Sequence, residues 1–505
     1  MKKMKNITIL NIVANLVLQF ITLLSGFIIP KLIISTFGSS VNGLIASINQ
    51  LLSYITLVEG GVTSVVTATL YKPLIEKDDE KISRIVKTSS GFYKKIGIIY
   101  IIYSIILAII YPIYYSDSEF SYIYVLSLIL ILSISSLIQY MMSLSLRTLL
   151  NADKKIYIVS GLQSIIFIIN IVLAFLSVKI FPNIHVLKFL TGITYIIQPV
   201  FYKKFVNKNY NISKNITENT ELLKDRWSGF INNFAYFIHH STDITILTFA
   251  TNLKIVSVYS IYTLITNGLK SIINAVSSAI SPNIGHLYAK GNSEELHKKF
   301  NIYEYINFMI IFIIFTTSIP LITPFVMIYI GKISDTNYYQ PLFGILLIIT
   351  TLIDLLKLPH TNLSYSANKF RQLTKPSFIE ATLNMCISIL LVKKHSINGI
   401  IIGTLVAVLY RLLYQVYFTK KIIGRKQSKF YKKLFYCLIT SVVSLCIVYS
   451  IIPTVNYDLF SWIISGIVIF VIITISFIIS SMFFMKDEFT YLIKMIEKSL
   501  VKKAH

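Results

Sequence analysis

Four polar residues stand in one row within the apolar stretch that runs from Trp227 to Ala250. Asn232, Tyr236, His239 and Asp243 are spaced by 4, 3 and 4 residues, so a helix carries all of them on one face. Asn233 and His240 widen that face. The stretch is long enough to cross a membrane, where an ionisable group turned to lipid costs about 3 kcal/mol or more. The row must therefore meet water or another helix. Imidazole and carboxylate groups side by side can take up protons, which makes His239, His240 and Asp243 candidates for ion coupling. Asn232 and Tyr236 can hydrogen-bond a polar cargo. Zinc is disfavoured, because the spacing is loose and membrane depth is wrong for hydrolysis.

Other charged residues also fall inside apolar runs. Glu59 precedes Gly60-Gly61, a pair that loosens a helix and lets backbone approach a ligand. Its chemistry would be proton or sodium binding, or a lock formed with a base such as Lys31 or Arg147. Arg147, Lys270 and Arg411 have no acid one turn away, which suits them to an anionic cargo. Asp354 and Lys357 stand at i and i+3, so they can pair with each other. Asp354 otherwise joins the ion-coupling set, and Lys357 the anion-binding set. Lys31, near the outer end of its run, and Arg411 and Glu380, near the inner side, are placed to snorkel. Lone His360 reads as a packed, hydrogen-bonded residue.

The chain of 505 residues is 55% hydrophobic and only 14% charged, with a mean hydropathy of +0.70. Apolar runs long enough to span the bilayer recur throughout. We read 14 spans, near 7–34, 41–70, 96–115, 121–149, 156–178, 186–202, 228–250, 257–281, 304–330, 341–365, 374–392, 397–419, 434–452 and 461–485. The fold class is all-α and membrane-integral. The net charge of +25 falls mostly in the loops of one side. The positive-inside rule then puts both termini in the cytoplasm, and the charge reflects topology and anionic lipid rather than nucleic acid. Lys2, Lys3 and Lys5 precede a first membrane helix with no cleavage site after it. Cys386, Cys437 and Cys446 all fall inside spans, so neither a disulfide framework nor a zinc site is expected. No Gly-Lys-Ser/Thr phosphate loop is present and the outer loops run to about 10 residues at most. ATP drive, a cofactor and a polymerase or ligase chemistry are all disfavoured.

The chain reads as a duplication. Residues 11–81 overlay 228–298 at a shift of 217 with 13 identities, among them Asn15/Asn232, Phe20/Phe237 and Tyr71/Tyr288. Further on, Ala152-Asp153-Lys154 matches Ala367-Asn368-Lys369, and Asn170 matches Asn384. Each repeat holds six spans, an even number, so the repeats run parallel. The expected domains are 1–206, a linker at 207–227, 228–421, an extra helix pair at 434–485 and a tail at 486–505. Polar stripes recur on span 1 (Asn11, Asn15, Gln19), span 2 (Asn42, Asn49, Ser53, Thr56), span 4 (Ser136, Tyr140, Ser143), span 8 (Thr263, Thr266, Asn274, Ser277) and span 10 (Thr350, Thr361). They read as cavity wall or as helix–helix glue.

The run Gly26-Phe27-Ile28-Ile29-Pro30-Lys31, then Thr36-Phe37-Gly38, Val41-Asn42-Gly43 and Glu59-Gly60-Gly61, resembles the start of Wzx-type polysaccharide-biosynthesis flippases. Leu287-Tyr288-Ala289-Lys290-Gly291-Asn292 resembles that family's segment after span 8. The resemblance covers residues 7–420 or so and extends to the superfamily that also holds multidrug–cation antiporters (MATE) and the lipid II flippase. It implies a V-shaped, MATE-like pair of lobes working by alternating access. It implies an undecaprenyl-diphosphate-linked oligosaccharide as cargo, a proton or sodium gradient or the membrane potential as drive, and polysaccharide polymerase and assembly proteins as partners in the bacterial cytoplasmic membrane. The diphosphate would meet Arg147, Lys270, Lys357 and Arg411. The acids Glu59, Asp243 and Asp354 depart from a purely cationic cavity. Fourteen spans resemble the lipid II branch, in which the extra pair forms a groove for the lipid tail. A multidrug–cation antiporter on the same fold is the competing expectation.

Overall fold

The computed structural model describes residues 2–59, 61–114, 119–213, 216–218, 241–291 and 293–504. Among these the chain is helical, and it divides into two compact units, Met1–Thr245 and Ile246–His505.

The first unit holds α1 (Lys2–Phe37), α2 (Ser39–Ser53), α3 (Ile55–Glu59), α4 (Val62–Glu76), α5 (Asp79–Ile110), α6 (Tyr122–Ile138), α7 (Leu144–Ala152), α8 (Ile156–Ile180), α9 (Ile184–Ile193) and α10 (Ile197–Asn209). The second span is not one continuous helix. It stops at Glu59, and Gly61 takes a left-handed φ of 78° before α4 begins, a conformation that costs glycine nothing. Between α6 and α7 one π-helical turn covers Gln139–Ser143; such bulges cluster at functional sites.

The second unit holds α11 (Leu253–Ala289), α12 (Ser293–Ile330), α13 (Pro341–Leu356), α14 (Leu358–Ser366), α15 (Phe370–Ile423), α16 (Ser428–Ile451), α17 (Leu459–Phe484) and α18 (Lys486–Ala504). Its tenth span breaks at Lys357, two residues before Pro359; proline lacks the N–H to continue a helix. At the shift of 215 that aligns Ala152 with Ala367, this break falls on the π-helical turn of the first unit. Helix α15 reverses at Ser396 (φ 49°), where spans 11 and 12 were expected to part. Side chains cap several starts: Ser121, Asn183, Asn252 and Asp458 each accept a hydrogen bond from a first-turn N–H.

Eleven described helices are long and apolar enough to cross a membrane. Three of the 14 expected spans account for the difference. Spans 11 and 12 are two helices that part at the non-helical Ser396 and fall within the single range of α15. Helix α11 is long enough but too polar to count, and span 7 is described only from Ser241.

The units share internal joints. Buried Asn170 accepts a hydrogen bond from Thr194 at 2.7 Å, and its repeat match Asn384 accepts one from Thr404 at 3.2 Å. Tyr93 on α5 meets Thr63 at 2.8 Å, while Tyr303 on α12 meets Ser277 at 2.6 Å.

Candidate functional site

In the first unit, the broken second span and the bulged fourth span enclose a cavity of about 380 Å³, room for roughly ten waters. Thr56, Glu59, Thr63, Gln139, Tyr140 and Arg147 line it. Glu59 and Arg147, from the second and fourth spans, thus line one cavity. Glu59 accepts hydrogen bonds from Thr63 at 2.5 Å and from Tyr140 at 3.4 Å, so two hydroxyls hold the carboxylate at the chain break. Among the described residues no ion pair within 4.0 Å reaches Arg147. A guanidinium in this position keeps its fork of donors for whatever enters the cavity.

The second unit arranges its charges differently. Lys270 lies 3.3 Å from Asp354. Lys357 lies 2.6 Å from the other oxygen of Asp354 and 3.1 Å from Glu380. Arg411 lies 3.7 Å from Glu380 and donates to the carbonyl of Leu373 at 3.2 Å. Three cations and two carboxylates thus form a chain of net charge +1, running from buried Arg411 to the 26%-exposed side chain of Lys270. The i, i+3 pairing of Asp354 with Lys357 holds, but Lys270 and Arg411 have acidic partners too, on other helices. Pairing between distant helices has no local sequence signal, so reasoning one turn at a time missed it. Arg411 and Glu380 are buried rather than snorkelling.

A cavity of about 440 Å³ sits nearby, lined by Asn274, Ser277, Ser281, Asn362 and Ser366 among others. It is the repeat counterpart of the first: Asn362 and Ser366 align with Arg147 and Asn151, and Val276 with Glu59. Asn362 donates to Ser277 at 3.0 Å and to Tyr303 at 2.8 Å, so hydrogen bonds between neutral groups occupy the place that charges hold in the first unit.

Other expected residues lie elsewhere. Lys31 on α1 and Asn49 on α2 are exposed and outside the cavity lining. Span 1 gives nothing to that cavity either; its Asn11 bonds the backbone at Lys154 and Tyr157, and Asn15 accepts from Ser160 at 2.5 Å. That part of the stripe is helix–helix glue. Asp243 is 9% exposed in a stretch whose neighbour Thr245 meets Tyr54 at 3.0 Å. Asn232, Tyr236, His239 and His240 lie outside the described residues.

Sequence reasoning found one member of a further cluster, His360 as a packed, hydrogen-bonded residue, and missed the rest. Glu304, fully buried on α12, receives Arg425 through the two terminal guanidinium nitrogens and Lys433 at 2.8 Å. His360 stands 3.2 Å away, its other ring nitrogen 2.8 Å from Thr419. Asn301 bridges Arg425 and Lys433 at 3.0 and 2.5 Å. Arg425 and Lys433 fall between the spans expected at 397–419 and 434–452. The available signal was a lone Glu opening an apolar span together with a lone His on another.

No family model matches the chain, and no curated protein matches it. Solved structures do. It resembles the lipid II flippase MurJ in an inward closed conformation, with a TM-score of 0.71 at 17% identity over 95% of this chain and 99% of that one. It resembles an inward-facing multidrug resistance MATE family transporter of the MOP superfamily, with a TM-score of 0.61 at 14% identity over 79% of this chain and 95% of that one. A MATE structure in a bent conformation follows at a TM-score of 0.54, 13% identity and 82% coverage of this chain. The protein has a MATE-like fold of the kind shared by MOP-superfamily flippases and transporters, and it is a multi-pass membrane protein.

Proposed function

We propose that this protein is a flippase that carries undecaprenyl-diphosphate-linked oligosaccharide across the bacterial cytoplasmic membrane by alternating access, with both termini cytoplasmic. The observation that carries this reading is Arg147, a guanidinium lining a polar cavity between the second and fourth spans with no ion pair among the described residues. Its planar donors suit a diphosphate. The chain of Lys270, Lys357 and Arg411 supplies a second, weaker anion subsite, because Asp354 and Glu380 neutralise most of it. Coupling to a proton or sodium ion we assign to Glu59, which two hydroxyls orient without a bound cation group; Asp354 sits between two ammonium groups and suits that role less. Asp243, His239 and His240 are the second coupling set.

One observation favours lipid II as the cargo. Similarity to MurJ extends over 95% of the chain, against 79% for the MATE transporter, and so takes in the C-terminal helix pair. A multidrug–cation antiporter would want acids left open and bases absent, which fits Arg147 poorly.

Cells carrying Arg147→Ala at normal protein level test the proposal. Surface polysaccharide or peptidoglycan precursor should fail to reach the outer leaflet, with drug sensitivity unchanged. Normal export of both would reject the diphosphate assignment, and the cargo that stops identifies which flippase this is.

A further inference from the structure

A larger pocket, about 930 Å³, lies in the second unit where α12, α16 and the C-terminal helix α18 meet. Lys298, Lys429, Lys432, Lys433, Lys486 and Lys494 line it, against the three carboxylates Glu294, Asp487 and Glu488. The lysines come from three helices, so cations converge on the space from separate directions. Local contacts account for part of the lining. Lys433 is committed to Glu304, and Glu488 accepts from Asn301 at 2.7 Å. Lys299 donates to Tyr491 at 2.7 Å and so ties α18 to α12. Lys298, Lys429 and Lys432 are left with no ion pair within 4.0 Å among the described residues, and the remaining balance is positive.

The surroundings point to a lipid. The pocket lies at the ends of α16 and α17 on the side read as cytoplasmic. Apolar surface begins within a turn or so of it: Phe483 is 77% exposed, Phe484 67% and Phe435 67%. A ligand with an anionic head and acyl chains would put the head among the lysines and the chains along that surface. Juxtamembrane lysines attract anionic head groups in this way.

We propose that this pocket binds the phosphate head group of a membrane lipid. The inference does not depend on which cargo the chain carries.

Full-length protein purified in neutral detergent would be titrated with dioleoyl phosphatidylglycerol, dioleoyl phosphatidylcholine or inorganic pyrophosphate, and bound molecules counted by native mass spectrometry. The wild type should retain phosphatidylglycerol in preference to phosphatidylcholine. The variant Lys298→Gln/Lys429→Gln/Lys432→Gln, which spares Lys433, should bind it about tenfold or more weakly at an unchanged Tm. Glu294→Gln/Asp487→Asn should tighten it severalfold. Equal binding by wild type and lysine variant, or no preference for the anionic lipid, would overturn the proposal. Pyrophosphate binding as tightly as the lipid would overturn the lipid assignment in favour of a soluble anion.

Discussion

The two units place their charges in opposite ways. In the first, the ion pairs among described residues lie toward its surface, as in Lys72–Glu76, Lys81–Asp78 and Arg84–Glu80, while Glu59 and Arg147 face a cavity. In the second, the pairs are inside: Lys357 with Asp354 and Glu380, and Glu304 with Arg425 and Lys433. The scaffold does not differ in this way, since Asn170 and Asn384 make the same kind of joint, as do Tyr93 and Tyr303. Charge has moved along a common frame. Glu59 and Arg147 align with Val276 and Asn362, whereas Lys270 and Asp354 align with Ser53 and Gln139. A paired interior holds a unit in one arrangement, and an unpaired one leaves it ready for a ligand.

The largest expected effect tests the paired interior. Glu304→Gln leaves Arg425 and Lys433 buried without their carboxylate, and removing one partner of a buried pair costs about 3–5 kcal/mol. The Tm of purified protein should fall sharply. Glu59→Gln should change Tm little, because Thr63 and Tyr140 can still bond the amide. Equal losses in the two variants would end the distinction between the units.

Transport should show the reverse ranking. An arginine–phosphate hydrogen bond is worth about 1.5–3 kcal/mol, so Arg147→Ala should slow export by about ten- to a hundredfold. Lys270→Ala should cost less than about tenfold, because Lys357 at 2.6 Å still holds Asp354. A larger loss at Lys270 would make the second unit the main anion site. A double-mutant cycle of Lys270→Met with Asp354→Asn should give a coupling of about 1 kcal/mol in Tm-derived stability, since the Lys270 side chain is 26% exposed.

These contrasts show what the sequence could reveal. Apolar runs fixed nearly every helix, because membrane helices satisfy their own backbone hydrogen bonds and need only length and composition. The break at Glu59 was legible in Gly60-Gly61, and the repeat in Asn170 and Asn384. Pairing between helices was not legible. Lys270 meets Asp354 from another helix, 84 residues along the chain, and Arg425 crosses 121 residues to Glu304. Such contacts depend on how helices are rotated against each other, which the periodicity of a single helix does not encode. The stripe on span 1 stayed open between cavity wall and glue for the same reason: the spacing showed that Asn11 and Asn15 share a face, but not that α8 covers it.

The smallest effect concerns the surface pairs of the first unit. Asp78 caps α5, accepting from the Lys81 N–H at 2.9 Å, with the Lys81 ammonium at 2.8 Å. The Lys81 side chain and backbone hold the Asp78 carboxyl below its ordinary value of 3.8. Asp78 in turn holds the Lys81 ammonium above 10.5. The carboxylate's contribution is therefore complete above its ordinary value and is lost as pH falls through the lowered one. The lysine's contribution is complete below its ordinary value and is lost as pH rises through the raised one. Between those limits protection of the first-turn amides of α5 against hydrogen exchange should be flat with pH. Asp78→Asn retains the capping oxygen and should abolish the acid limb while weakening protection only slightly. Because both side chains reach solvent, added salt should weaken the wild-type pair, whereas the buried Glu304 cluster should be insensitive to it. Salt sensitivity at Glu304 matching that at Asp78 would mean that water reaches the second unit's interior charges, and the contrast between the units would then be one of degree.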